Sequence, residues 1–168
     1  MFENGIPIWI SRAVGYSLVG RKGGFAKEVD AIFDSRKATE YASSQAVQDL
    51  QLARVKSLLQ HAQEYCPYYT RVFREVGFNA FRMRNIDELR VVPRLSKHAL
   101  INHRDELISR KHRIEDLNLN STGGSTGLTV NYYQDRNWLT HQVAGERFYN
   151  SIAGWEAGCR AAYLWGAP

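Results

Sequence analysis

The spacing of apolar residues changes once along this chain of 168 residues, near residue 115. Before that point apolar side chains recur every three or four positions, the period of a helix face. After it they alternate with polar ones, the period of a strand. Helical period first and strand period second point to an α/β protein whose sheet begins late in the chain.

The clearest helical stretch is 41–65, where Val47, Leu50, Val55, Leu58, Leu59, Ala62 and Tyr65 form an apolar stripe. Pro67 stops it, because the residue before a proline is biased away from helical geometry. A shorter helix is expected from about Tyr68 to Val76, with Tyr69, Val72, Phe73 and Val76 on one face and Gly77 as its stop. Asn85 or Asp87 opens a turn through Leu89, which Pro93 ends. Ser96 reads as the N-cap of a helix over Lys97–Asn102, and 104–109 as one more turn.

Past residue 115, Asp116–Asn120 alternates and reads as a strand. Ser121–Gly127 is a loop of small residues. Leu128–Tyr133 alternates again, with Val130 and Tyr132 on one face. Arg136–Ile152 reads as a helix whose stripe is Leu139, Val143, Phe148, Tyr149 and Ile152, and Ala161–Trp165 as a buried strand. This divides the chain into a helical N-terminal region, 1–114, and the start of an α/β nucleotide-binding domain, 115–168. Two or three strands cannot cover their helices, so the second region is expected to be the truncated opening of a larger sheet.

Composition narrows the function classes. Hydrophobic residues are 44% and charged residues 23% of the chain, ordinary globular usage that excludes a disordered or collagen-like chain. Two cysteines make no disulfide framework, which points to the cytoplasm. The net charge of +5 arises between residues 41 and 114, where basic and acidic residues are interspersed. No nucleic-acid-binding motif accompanies it, so the expectation is a solvated helical surface and no nucleic-acid partner. No stretch is long enough to be a transmembrane segment. Near the start, Trp9, Arg12, Arg21 and Lys22 suit either packing against the next helix or weak contact with an anionic membrane surface. The five histidines lack metal-ligand spacing, and no metal site is expected.

Chemistry is concentrated in Ser121-Thr122-Gly123-Gly124-Ser125-Thr126-Gly127, seven consecutive Gly, Ser or Thr residues. Glycines let backbone N–H groups approach an anion, successive donors form a nest, and hydroxyls add further donors. Composition alone fits a polyphosphate site and a plain hairpin loop equally. The string lacks the lysine and following helix of a Walker A loop, and its glycine spacing is not that of the dinucleotide fingerprint.

The string resembles the phosphate loop of the AMP-forming (adenylate-forming) ligase superfamily, with Thr122, Gly124, Ser125, Thr126 and Gly127 on the pattern and Gly123 where a hydroxyl residue is commoner. Upstream, Leu58–Ala62, Pro67-Tyr68-Tyr69 and Phe73 are similar to the lead-in of the phenylacetate–CoA ligase-like branch, which includes the CapK capsular polysaccharide biosynthesis proteins. Asp87-Glu88-Leu89, Val92–Lys97, Asn131–Asp135, Gly158-Cys159-Arg160 and Leu164-Trp165-Gly166 continue the resemblance in family order. Leu128-Thr129 and Cys159 depart from the usual residues, and Cys159 is expected as a small buried side chain.

The resemblance implies the N-terminal part of an ATP-dependent enzyme that joins a carboxylate to AMP and then to a thiol such as coenzyme A. Magnesium accompanies the nucleotide. Thr122, Ser125 and Thr126 would be hydroxyl donors to the β- and γ-phosphates, and Gly123, Gly124 and Gly127 backbone donors. The family's adenine, ribose and carboxylate motifs and its lid lie beyond this stretch, so the chain alone is expected not to adenylate. The alternative is a non-catalytic truncated product or a partner-binding domain.

Overall fold

A computed structural model describes residues 24–122, 129–156 and 159. They belong to two compact units: Ala42–Arg136, and Met1–Tyr41 together with Asn137–Pro168. The described residues are mainly helical, with one small antiparallel sheet.

In the first unit, α2 (Ser44–Tyr65) starts where the Ser43 hydroxyl accepts from the Ala46 N–H at 3.3 Å. It ends at Cys66, which is extended (φ −108°, ψ 109°) and also precedes α3 (Pro67–Glu75). Pro67 ends one helix and opens the next, since its missing N–H costs nothing in a first turn. α3 closes on Gly77 (φ 67°), a left-handed position glycine adopts without strain. There the Phe78 N–H reaches the Phe73 carbonyl at 2.8 Å and the Gly77 N–H the Arg74 carbonyl at 3.3 Å, a Schellman closure.

That reversal builds the core. Val72 and Phe73 meet Phe78, Ala80 and Met83, with Leu52, Val55 and Leu59 of α2 packed around them. Phe73 and Phe78 stack edge to face, 4.9 Å between centroids. The stripe expected on α2 is two faces. Leu59 and Ala62 turn inward, whereas Val47 and Leu58 are exposed. Adjacent residues stand about 100° apart on a helix, and here the core takes Leu59 and leaves Leu58 outside.

A 3-10 turn, Ile86–Val91, follows Asn85, whose N–H donates to Glu88 Oε1 at 3.2 Å. α4 (Lys97–Asn102) occupies the expected residues, its first turn capped by the Ser96 hydroxyl accepting from the Ala99 N–H at 3.1 Å. α5 (Arg104–Leu107) is shorter than the turn expected over 104–109.

β1 (Asn118–Ser121) pairs antiparallel with β2 (Asn131–Gln134), Asn118 opposite Gln134 and Ser121 opposite Asn131. β1 starts later than expected because Ile114–Asp116 forms a 3-10 turn, with the Arg113 guanidinium bonded to both Asp116 oxygens. Val130 and Tyr132 do not share a buried face. Val130 precedes the strand and is buried, Tyr132 is exposed, and the buried strand residue is Gln134, which accepts from Asn120 Nδ2.

In the second unit α1 (Gly24–Ala38) packs on α6, the helix Arg136–Ile152, whose bounds match the sequence expectation. α1 lies outside the helices that spacing picks out, although Phe25, Val29, Ile32 and Phe33 carry a helical period. Arg147 joins the pair, with an ion pair to Asp30 and its guanidinium 4.1 Å from the Phe33 ring centroid. The inner face of α6 is Thr140, Ala144 and Gly145, not the expected stripe; Leu139, Tyr149 and Ile152 are exposed. Small residues win that face because Arg36 lies against it: a Cβ on Gly145 would sit 3.2 Å from the Arg36 Nη1.

Candidate anion-binding loop

The string of small residues starts at the last residue of β1 and is followed by β2. Ser121, the end of β1, is exposed and opposite Asn131. Thr122 extends the pairing by one step beyond the strand: its N–H donates to the Val130 carbonyl at 3.0 Å. The Thr122 hydroxyl accepts from the Val130 N–H at 3.1 Å. A hydroxyl accepting in this way keeps its proton, so Thr122 Oγ1 can still donate to an anion. Gly123, Gly124, Ser125, Thr126 and Gly127 lie outside the described residues, as does the strand expected at Ala161–Trp165.

Basic residues gather at the other end of the hairpin. His112 Nε2 is 3.8 Å from Asp135, just past the Asn118–Gln134 pair, and the Lys111 ammonium sits 5.3 Å from the Tyr65 ring centroid. Three residue steps along β1 separate that pair from Ser121, roughly 10 Å. His112 therefore sits away from Ser121, and among the described residues the side-chain donor placed at the mouth is the neutral Thr122 hydroxyl.

A cluster of charged side chains lies elsewhere. Glu106 accepts from Arg71 Nη2 at 3.0 Å and faces His103 Nδ1 at 2.7 Å, and Arg71 lies 5.4 Å from the Tyr68 ring centroid. The hydrogen bond with His103, then that with Arg71, holds the Glu106 carboxyl below the usual range. Sequence reasoning missed this cluster. His103 and Glu106 are three apart, but Arg71 is 35 residues from Glu106, beyond any local spacing rule.

The remaining candidates are quickly placed. Lys97 and His98 are exposed on α4. Cys66 is buried, and burial pushes its thiol up, away from the reactive thiolate. Cys159 is exposed, against expectation, because it stands in a bend where its N–H reaches the Glu156 carbonyl at 3.0 Å. Among the described residues no three His, Cys, Asp or Glu side chains converge on a metal position, and no helix is long and apolar enough to cross a membrane.

No protein-family model matches this chain, and no curated protein is similar enough to register as a match.

Proposed function

We propose that the chain is the N-terminal part of an AMP-forming carboxylate–thiol ligase of the phenylacetate–CoA ligase-like, CapK branch. In this reading Ser121–Gly127 is the loop that holds the nucleotide phosphates. The observation that carries it is local: the string is framed by two antiparallel strands, and the Thr122 hydroxyl is fixed at the mouth with a proton to donate. Thr122, Ser125 and Thr126 are the hydroxyl donors, with Gly123, Gly124 and Gly127 supplying backbone N–H groups. Neutral donors of this kind suit the β- and γ-phosphates of ATP, where they stabilise a leaving pyrophosphate. Magnesium, which favours phosphate oxygens and one or two carboxylates, would arrive with the nucleotide. Coenzyme A is the proposed acceptor class, the cytoplasm the setting, and capsular polysaccharide biosynthesis the process this branch suggests.

The test is binding of magnesium–ATP to the 168-residue chain by titration calorimetry. Measurable heat is expected, and S125A/T126A should weaken binding by about tenfold, roughly two lost neutral hydrogen bonds. A chain that binds no nucleotide, or a double variant that binds as well as the parent, removes the assignment. Carboxylate-dependent exchange between ATP and pyrophosphate is expected to be absent.

A second reading is a non-catalytic, partner-binding domain. The exposure of Leu119 on β1 and of Leu139 and Ile152 on α6 favours it. It predicts no nucleotide binding at all.

A further inference from the structure

We infer that the segment from Phe78 to Arg94 is a docking surface for an anionic lipid bilayer. The core turns part of this segment inward. Phe78, Ala80 and Met83 are buried, and Leu89 and Val92 pack against them. The residues between are displayed outward. Phe81 is 52% and Val91 55% exposed, and Arg82, Arg84, Arg90 and Arg94 are exposed beside them.

The backbone that displays them is tied down. The Ala80 N–H donates to Gln63 Oε1 at 2.7 Å, the Arg82 N–H to the Asn79 carbonyl at 3.0 Å, and the Arg84 N–H to Glu88 Oε1 at 2.9 Å. Residues three apart eclipse one another in a 3-10 helix, so Val91 stands over Glu88, whose carboxylate reaches back to Arg84. That brings the exposed valine to the side of the helix facing the arginine turn.

Charge selects the partner. Phe78–Arg94 holds four basic and two acidic residues. Both acids are engaged: Asp87 pairs with Arg90 at 2.8 Å, and Glu88 accepts from backbone N–H groups. Among the described residues Arg82, Arg84 and Arg94 have no carboxylate partner. Exposed apolar tips flanked by such guanidinium groups match a bilayer interface, where Phe and Val enter the acyl boundary and Arg meets lipid phosphate. A nucleic-acid strand would draw on a run of stacking planes; of the two exposed tips Phe81 offers one and Val91 none.

The full chain is sedimented with phosphatidylcholine vesicles, with and without phosphatidylserine. It should partition only onto the phosphatidylserine vesicles, less so as salt rises. R82Q and R84Q should each lower the partition coefficient about fivefold and R82Q/R84Q about twenty-fivefold. R54Q, an exposed change on α2 outside the segment, should alter it less than about twofold. If R82Q/R84Q loses helical circular dichroism, R94Q carries the same fivefold expectation. Three results overturn the proposal: no sedimentation of the parent chain with phosphatidylserine, equal sedimentation with neutral vesicles, or a loss in R54Q matching that in R82Q. An Arg82- and Arg84-dependent gel shift of a single-stranded oligonucleotide, without vesicle binding, reassigns the patch to nucleic acid and overturns it too.

Discussion

The Glu106 carboxylate joins two other side chains, His103 three residues before it and Arg71 on α3. Its pKa is lowered on folding because His103 and Arg71 bond to the charged form. Such a group adds stability above its unfolded pKa, about 4.3, and the addition is lost as pH falls through the lower folded value. E106Q should therefore unfold at a lower urea concentration than the parent near neutral pH. The gap between the two midpoints should close as pH falls below the ordinary glutamate range. A gap that persists in acid would mean that Glu106 acts through packing alone. Phe73 is a different case, at 1% exposure and touching apolar neighbours throughout. F73A should cost about 3–5 kcal/mol, read from the shift in urea midpoint.

Among the elements, helix ends follow most directly from local chemistry. Ser96 starts α4 and Gly77 stops α3 because one hydroxyl oxygen and one left-handed backbone are enough. G77A should destabilise the chain by about 1–2 kcal/mol, the cost of a left-handed alanine, and S96A by about 1 kcal/mol, both by denaturant titration. These features were legible because they lie within four residues of their cause. Faces were not. Whether Leu58 or Leu59 enters the core, or Gly145 rather than Leu139 faces α1, depends on what each helix packs against. Spacing shows that an apolar side exists, and the partner decides which part is covered. The candidate site divides in the same way. Ser121 and Thr122 stand out by composition beside a strand, whereas the Arg71–Glu106 bond spans 35 residues and leaves no local trace.

At the scale of the molecule, the apolar cluster around Phe73 lies wholly within Ala42–Arg136. A polypeptide of residues 42–136 should keep its α-helical circular dichroism and unfold cooperatively, and F73A should abolish that transition. A non-cooperative melt of the parent fragment would show that the cluster needs the rest of the chain. The joint at Cys66 carries a further consequence for this unit. With one non-helical residue between α2 and α3, and a proline immediately after it, the connection has no slack to absorb a change in length. An extra residue continuing α2 would advance its screw by about 100° and re-aim everything mounted after it. The joint works as a phase lock, so an insertion or deletion at Cys66 should be far more damaging than a change of side chain there.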